Sequence, residues 1–353
     1  MKRILTLVLA LLTVAVFANP VDKKTAEQVA VNYYVHYAPA SITDYSVSGT
    51  IENANDGITT IYTFTFTSGG FVMVAADDAS IPVLGYSHSG TLDAEVYNPA
   101  AQAWIENYSR EIAAITASRM DNSATRPLWD NILNKNMERE IMDVNPLVTT
   151  TWDQGCYYNA QCPVESGAGF GSCGRAWTGC VATTMAVLMK YHSFPTNGVG
   201  YHSYMHPTYG MQSADFGATT YNYAAMPNNV TTANAAVATL MYHAGVSVNM
   251  QYGASGSGAY SEDVPFSLVN YFNFAPTAEL KSKTNYPLMA DWYTLLRTEL
   301  DAARPVYYAG SSTASGGHAW ICDGYRMSDN KFHFNWGWSD RKSTRLNSSH
   351  RIR

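Results

Sequence analysis

The sequence predicts an α+β protein in two parts, and three observations carry that prediction. The chain has 353 residues, which corresponds to about two domains at roughly 100–200 residues each. Residues 19–142 mix helical and strand patterns, as a small α+β unit does. From residue 143 onward Gly, Tyr, Asn and Thr dominate, and all five cysteines lie there. We therefore place the domain boundary near residue 142.

In the first part, the apolar spacing predicts two helices and a hairpin. Residues 25–28 resemble a capping box that opens a helix. Strands over 62–66 and 71–76, joined by a Gly-Gly turn, predict a hairpin. A second amphipathic helix is expected from about 99 to 120. The polar stretch 121–142 is typical of a linker that proteases can reach.

Composition and charge exclude several protein classes. The chain is 46% hydrophobic and 14% charged, which supplies a sizeable core and argues against disorder. The formal net charge is −6, so no nucleic-acid partner is expected, because phosphate contacts need clustered Lys and Arg.

The first 18 residues have the pattern of a secretory signal peptide. Basic residues at positions 2 and 3 precede an apolar run over 4–17, and a small-residue cleavage site follows. An N-terminal anchor is the less favoured alternative, because the apolar run is short and ends at Pro20. We expect export to an oxidising compartment, where disulfides persist, without stable membrane insertion.

The last residues, 340–353, differ sharply from those before them. They have no apolar periodicity, and Asp340 to His350 matches the translation of a common sequencing-library adapter. We expect this segment to be an adapter artefact that replaces the native sequence after Ser339. A genuine basic tail is the alternative, and resequencing the gene decides between the two.

Cys180 stands apart from the other cysteines. The run 180–192 has apolar residues at helical spacing, so Cys180 is expected at a helix N-terminus, with Gly179 at the entry. The free N–H groups and the helix dipole there stabilise a thiolate. The odd number of cysteines also leaves at least one unpaired thiol. The alternative, a small buried side chain, is about equally supported by this local pattern alone.

His318 has the most distinctive context of the nine histidines. It follows Gly316 and Gly317, which allow close approach of another chain, and it begins a strand over 318–324. A hairpin with the strand over 331–338 brings Asn335 near His318, although the sequence does not fix the register. An Asn beside a histidine ring can set its tautomer and orientation.

An upstream loop offers a third polar side chain. An oxyanion hole needs a donor besides the Cys180 N–H, and Gln154 is the natural candidate. A lone loop Gln is more often merely solvated.

Taken together, these motifs resemble the streptopain family of secreted bacterial papain-like cysteine peptidases. The similarity covers residues 25–338, and its most specific matches are the sequences at 178–183, 316–319 and 335–338. The resemblance implies a papain-like catalytic domain over 143–339, with a helical half and a twisted antiparallel sheet. It also implies that residues 19–142 are an inhibitory propeptide that blocks the cleft until it is removed.

The same resemblance assigns roles to individual residues. Cys180 is the nucleophile, His318 the general base and acid, Gln154 the oxyanion donor and Asn335 the residue that orients His318. The walls of the site are Trp336 and Trp338, and the residues expected in substrate-subsite loops are Gly316, Gly317, Ser255 and Ser257. Substrates are proteins or peptides, often with an apolar residue at P2. No metal and no cofactor is expected.

In three respects the chain departs from the family pattern. The family continues beyond residue 338 with further strands. Family members need no disulfide before the nucleophile, whereas here a Cys162–Cys173 or a Cys156–Cys173 bridge is expected without a fixed pairing. Cys322 is interpreted as buried.

Two other functions remain as alternatives. A different secreted Cys-His acyl-transfer hydrolase, such as a cell-wall amidase, would use the same dyad. A non-enzymatic secreted binding protein is the less favoured alternative.

Overall fold

A computed structural model describes residues 18–90, 99–137, 143–312, 316–327, 331–338 and 344–347. The predicted signal peptide lies outside these residues, apart from residue 18. Of the predicted artefact segment, only 344–347 falls within them.

The first part of the chain forms a small α+β unit, as predicted. The Phe64–Val72 pairing and its neighbours confirm the hairpin between the second and third strands. The elements of this unit are α1 (Lys23–Tyr37), β1 (Val47–Asn55), β2 (Ile58–Phe66), β3 (Phe71–Ala75), β4 (Val83–Ser87), α2 (Pro99–Ser118) and α3 (Arg126–Leu133).

Two local predictions in this unit are wrong. Helix α1 begins earlier than the predicted capping box, because the carboxylate of Asp22 accepts the Thr25 N–H at 2.9 Å and caps the helix. The predicted linker contains α3, because Trp129 and Ile132 are apolar enough to be buried in the core. The Trp129 indole N–H also donates to Ser80 O at 2.9 Å.

The second part has a helical half followed by a sheet, as the sequence predicts. The predicted helix that starts at Cys180 is confirmed, and so are the strands on either side of residues 328–330. The elements are α4 (Cys180–His192), β5 (Tyr201–His206), β6 (Gly210–Asp215), α5 (Ala235–Ser247), α6 (Asp263–Asn270), α7 (Met289–Asp301), β7 (Val306–Ser312), β8 (Gly316–Arg326) and β9 (Lys331–Asn335).

Within the described residues, one antiparallel sheet of eight strands joins the two parts of the chain. Its order is β1-β2-β3-β4-β10-β9-β8-β7, and β10 (Thr344–Asn347) lies between β4 and β9. Strand β10 falls within the segment predicted to be an artefact, and the origin of that segment stays a prediction.

Two hydrophobic cores lie on either side of the second half of this sheet. The first core contains side chains of α1–α3, β2–β4 and α7 together with Trp320, Cys322 and Trp336. The second core contains side chains of α4, α5 and α6 together with Ala319 and Ile321. The first core therefore belongs to both parts of the chain.

Candidate active site

Cys180 is the first residue of α4, and the backbone conformation of the preceding residue explains why a glycine stands at position 179. Gly179 has φ 87° and ψ 142°, a conformation essentially restricted to glycine. A Cβ atom on Gly179 would lie 2.6 Å from Met250 Sδ and 3.0 Å from Ser257 O. The helix is buried over nearly its whole length, from Val181 to Met189, so the second core fixes the position of Cys180.

In this conformation the surroundings of Cys180 favour the neutral thiol. Burial raises the pKa of Cys180 above its ordinary value, and the backbone N–H groups of Ala319 and Val181 only partly oppose that shift. The expected stabilisation of a thiolate by the helix N-terminus is thus outweighed by burial.

Gln154 lies beside the entry to α4. Its carbonyl oxygen accepts a hydrogen bond from Thr178 N at 3.0 Å, which ties this loop to the residues just before Cys180. Its side-chain nitrogen Nε2 is buried and has no hydrogen-bond partner among the described residues. A buried donor without a partner costs free energy, so its presence fits a group that is kept ready for a ligand oxygen.

His318 is buried on β8 among three tryptophans. Its ring lies 5.9 Å from the Trp320 ring, and 6.4 Å from each of the Trp336 and Trp338 rings. Its Nε2 atom is 3.0 Å from Trp336 O. The main-chain carbonyl of Trp336 therefore orients the ring. Every residue has such a carbonyl, so the sequence does not predict this acceptor.

The alternation of β8 separates His318 from Cys180. Neighbouring residues of a strand face opposite sides of the sheet. Trp320 belongs to the first core, whereas Ala319 and Ile321 belong to the second. His318 shares the face of Trp320, while Cys180 packs against the second core. The structure therefore places the expected nucleophile and base on opposite faces of one strand.

Asn335 is buried at the end of β9. It is paired with Ile321, and so lies on the Cys180 side of the sheet. Its Nδ2 donates to Thr150 O at 2.8 Å, and its Oδ1 accepts Gly337 N–H at 3.1 Å. These hydrogen bonds engage both ends of the amide, so orientation of His318 by Asn335 stays a prediction.

Trp177 is a further aromatic residue of this region, and the sequence did not single it out. Its ring lies 6.0 Å from that of Trp338, which itself approaches His318. Its position shortly before the nucleophile was the available signal. The rings of Trp336 and Trp338 lie beside His318, and their role as walls of the assembled site stays a prediction.

The loop over 253–259 lies against Trp177. Ser257 Oγ donates to Trp177 O at 2.6 Å and accepts Gly253 N–H at 3.1 Å, so it holds the loop in shape. The Trp177 indole N–H donates to Ala254 O at 2.9 Å. Ser255 and Gly317 are exposed, and the subsite roles of these residues and of Gly316 stay predictions.

The structure chooses between the two disulfides left open by the sequence. Cys156 and Cys173 form the bond, with Cα atoms 5.1 Å apart. The Cys162–Cys173 pairing is therefore wrong: Cys162 is a free, buried thiol whose pKa is raised to about 12 by burial. Cys322 is free and buried, as expected.

Comparison with known families decides the relationship of this chain. A model of the Peptidase C10 family matches residues 152–343. The chain belongs to the Peptidase C10 family. A model of the Spi protease inhibitor matches residues 18–112, within the predicted propeptide. This Peptidase C10 chain thus carries an inhibitor-like unit ahead of its catalytic part, and the predicted kinship with streptopain is confirmed.

Relatives of this Peptidase C10 chain include two kinds of curated protein. Thiol protease/hemagglutinin PrtT of Porphyromonas gingivalis is 34% identical over 96% of this chain and 40% of its own length. Streptopain of Streptococcus pyogenes is 30% identical over 79% of this chain and 71% of its own length. The chain thus spans less than half the length of PrtT.

Solved structures of interpain A from Prevotella intermedia are also similar. A prointerpain A fragment with a Cys-to-Ala substitution has a TM-score of 0.67 and is 31% identical, over 84% of this chain and 91% of that one. Active wild-type interpain A has a TM-score of 0.53 and is 36% identical, over 58% of this chain and 86% of that one. The match to the longer fragment confirms the predicted α+β, papain-like class with a preceding propeptide.

In the part of the chain that the structure describes, no helix combines the length and apolar character needed to cross a membrane.

Proposed function

We propose that this chain is the zymogen of an exported cysteine endopeptidase in which Cys180 and His318 form the catalytic dyad. The observation that carries the proposal is their separation across β8: the residue types of a thiol protease are present, but held apart. His318 lies on the face of the first core, which the inhibitor-like unit shares. Helix α2 of that unit also lies against β7 and β8.

Catalysis requires His318 to move to the Cys180 face. Once there, the imidazole takes the thiol proton, and Sγ attacks the scissile carbonyl carbon. The oxyanion that forms accepts hydrogen bonds from the Cys180 N–H and from Gln154 Nε2. When the C–N bond breaks, the imidazolium gives its proton to the leaving amine, and a thioester remains.

The second half of the reaction uses the same groups. His318 removes a proton from water, which adds to the thioester carbonyl. Collapse breaks the C–S bond, releases the carboxylic acid product and returns the proton to the thiol. In the assembled site we expect Trp336, Trp338 and Trp177 to limit access of bulk water.

The substrates that we propose are proteins or peptides, with an apolar side chain favoured at P2 beside the 253–259 loop. The inhibitor-like unit is the internal partner. Its removal by a proteolytic cut within residues 121–142, outside the packed helix α3, is the activating step. Export follows from the proposed signal peptide at residues 1–18.

The experiment compares casein cleavage and self-maturation of the full chain with those of Cys180→Ala. We expect the variant to persist as the uncleaved zymogen without activity, while Cys162→Ala, which alters a free buried thiol outside the site, still matures. Casein cleavage by Cys180→Ala would end the proposal. Digestion of peptidoglycan but not casein by the wild type would instead favour the amidase alternative.

A further inference from the structure

The side-chain amide of Asn335 connects the turn after β9 to the segment that precedes Gln154. One end of its amide accepts the Gly337 N–H and so ties the turn that carries Trp336 and Trp338. The other end donates to Thr150 O. Because one end donates and the other accepts, these contacts fix the orientation of the amide. The side chain therefore links the end of β9 to the segment that leads to Gln154.

The segment that leads to Thr150 is held against β8 by hydrogen bonds from or to its backbone. Val144 and Tyr325 exchange two hydrogen bonds, Val144 N to Tyr325 O at 3.3 Å and Tyr325 N to Val144 O at 3.0 Å. Val148 N donates to the buried carboxylate of Asp323 at 2.9 Å. These contacts bring the chain to Thr150 in a defined register.

Beyond Thr150 the chain runs to Gln154 through a short, anchored stretch. Thr151 N donates to Asn228 O at 2.7 Å. Trp152 is fully buried, and its indole N–H donates to Pro227 O at 2.9 Å. Asn335 thus binds the carbonyl oxygen of Thr150, immediately before residues 151–153. These residues connect Thr150 to Gln154, whose Nε2 has no partner among the described residues.

We propose that Asn335 is a positioning residue for the oxyanion hole: its hydrogen bond to Thr150 O keeps Gln154 in place beside Cys180. This inference rests on the proposed peptidase function. It assigns Asn335 a task different from orienting His318, because the amide that would orient the ring is engaged on Thr150 and Gly337. A displacement of 1 Å at an oxyanion donor is enough to lose much of its effect.

The test is a double-mutant cycle of Asn335→Ala and Gln154→Ala, measured on mature enzyme produced by immobilised wild-type peptidase. Gln154→Ala should lower kcat by roughly 10²–10³. Asn335→Ala should lower kcat about tenfold with KM little changed, because the lost interaction acts in the transition state. The double variant should be no slower than Gln154→Ala alone, because Asn335 acts through Gln154.

A second readout separates the two roles of Asn335. The rate and pH dependence of Cys180 alkylation by iodoacetamide should match the wild type in Asn335→Ala, because the thiolate and its imidazole are untouched. Additive losses in the double variant, or slower alkylation with a shifted pH dependence, would overturn the inference and favour orientation of His318.

Matched variants keep the outcome interpretable. Asn335→Asp retains an acceptor for Gly337 N–H and loses the donor to Thr150 O, so it should show the same kcat loss if Asn335→Ala fails to fold. Asn270→Ala, the same substitution at an exposed site on α6, should leave kcat unchanged. Failure of the proposed function appears differently, as an inactive wild type or an active Cys180→Ala.

Discussion

Arg326 of β8 donates a hydrogen bond from Nη2 to the hydroxyl of Tyr33 on α1, at 2.7 Å. The guanidinium is almost completely buried, lies 4.0 Å from the centre of the Tyr37 ring and also contacts the Tyr86 hydroxyl at 3.3 Å. The three tyrosines belong to the inhibitor-like unit, whereas Arg326 belongs to the catalytic part. A buried cation thus binds the two units to each other through aromatic faces and hydroxyls.

This contact predicts a cost for removing one hydroxyl. In a Cys180→Ala background, Tyr33→Phe should lower the free energy of unfolding of the full chain by about 1.5–3 kcal/mol, because a charged donor loses its acceptor. Urea unfolding measures the change. Tyr45→Phe is the control, since its hydroxyl donates only to the nearby neutral carbonyl of Ile42. A loss no larger than that of Tyr45→Phe would contradict the prediction.

The disulfide predicts a stability difference that depends on redox state. Cys156 and Cys173 are 17 residues apart, and closing a loop of this size stabilises a fold by about 3 kcal/mol. Cys156→Ser should lose about that amount under oxidising conditions and nothing relative to the wild type in reductant. Cys162→Ser changes a thiol outside the bond, so its effect should not depend on reductant. The same response to reductant in Cys156→Ser and the wild type would refute the pairing.

Much of the fold could be predicted because it follows local patterns. The 3.6-residue period after Cys180 predicts α4, and the alternation near residues 62–66 and 331–335 predicts strands. The family motifs around Cys180, His318 and Asn335 predict the domain order and the catalytic residue types. Each of these signals lies within a few residues of the element that it specifies.

The remaining features depend on distant parts of the chain. The face on which His318 lies follows from what packs on each side of β8, and periodicity alone does not say which face meets Cys180. Trp336 contributes a main-chain carbonyl, which every residue has. The choice of Cys156 over Cys162 depends on how a Gly-rich loop folds back. Insertion of β10 between β4 and β9 joins strands far apart in sequence.

The conformation of Gly179 predicts that even a methyl group is harmful there. Gly179→Ala should lower stability by about 1–3 kcal/mol from backbone strain alone, with a further loss from the close approach to Met250 and Ser257 O. Gly174→Ala is a matched control, because Gly174 also has a positive φ of 73° but a Cβ there meets nothing within 4 Å. Thermal unfolding of both variants should show a clearly larger loss for Gly179→Ala, and equal losses would argue against the contact.

Acid should lower the free energy of unfolding of the catalytic part through protonation of His243 on α5. Burial lowers the pKa of His243 from 6.5 to about 4, although the Asp215 charge opposes the shift, and Nδ1 lies 3.0 Å from the Tyr221 hydroxyl. Between pH 4 and pH 6.5 the folded imidazole is neutral, whereas the imidazole of the unfolded chain binds a proton. Its contribution to stability is therefore present above pH 6.5 and lost as pH falls towards 4, by up to about 3 kcal/mol.

The variant that tests this is His243→Gln, which can still bond the Tyr221 hydroxyl but does not titrate. Urea unfolding of the Cys180→Ala chain at pH 7 and pH 4 should show a smaller acid-induced loss when His243 is replaced. His202→Gln removes an imidazole from the outer β5 strand, where the ring contacts Asn249 Oδ1, and controls for the loss of a histidine elsewhere. An unchanged pH dependence in His243→Gln would show that His243 does not carry the acid sensitivity.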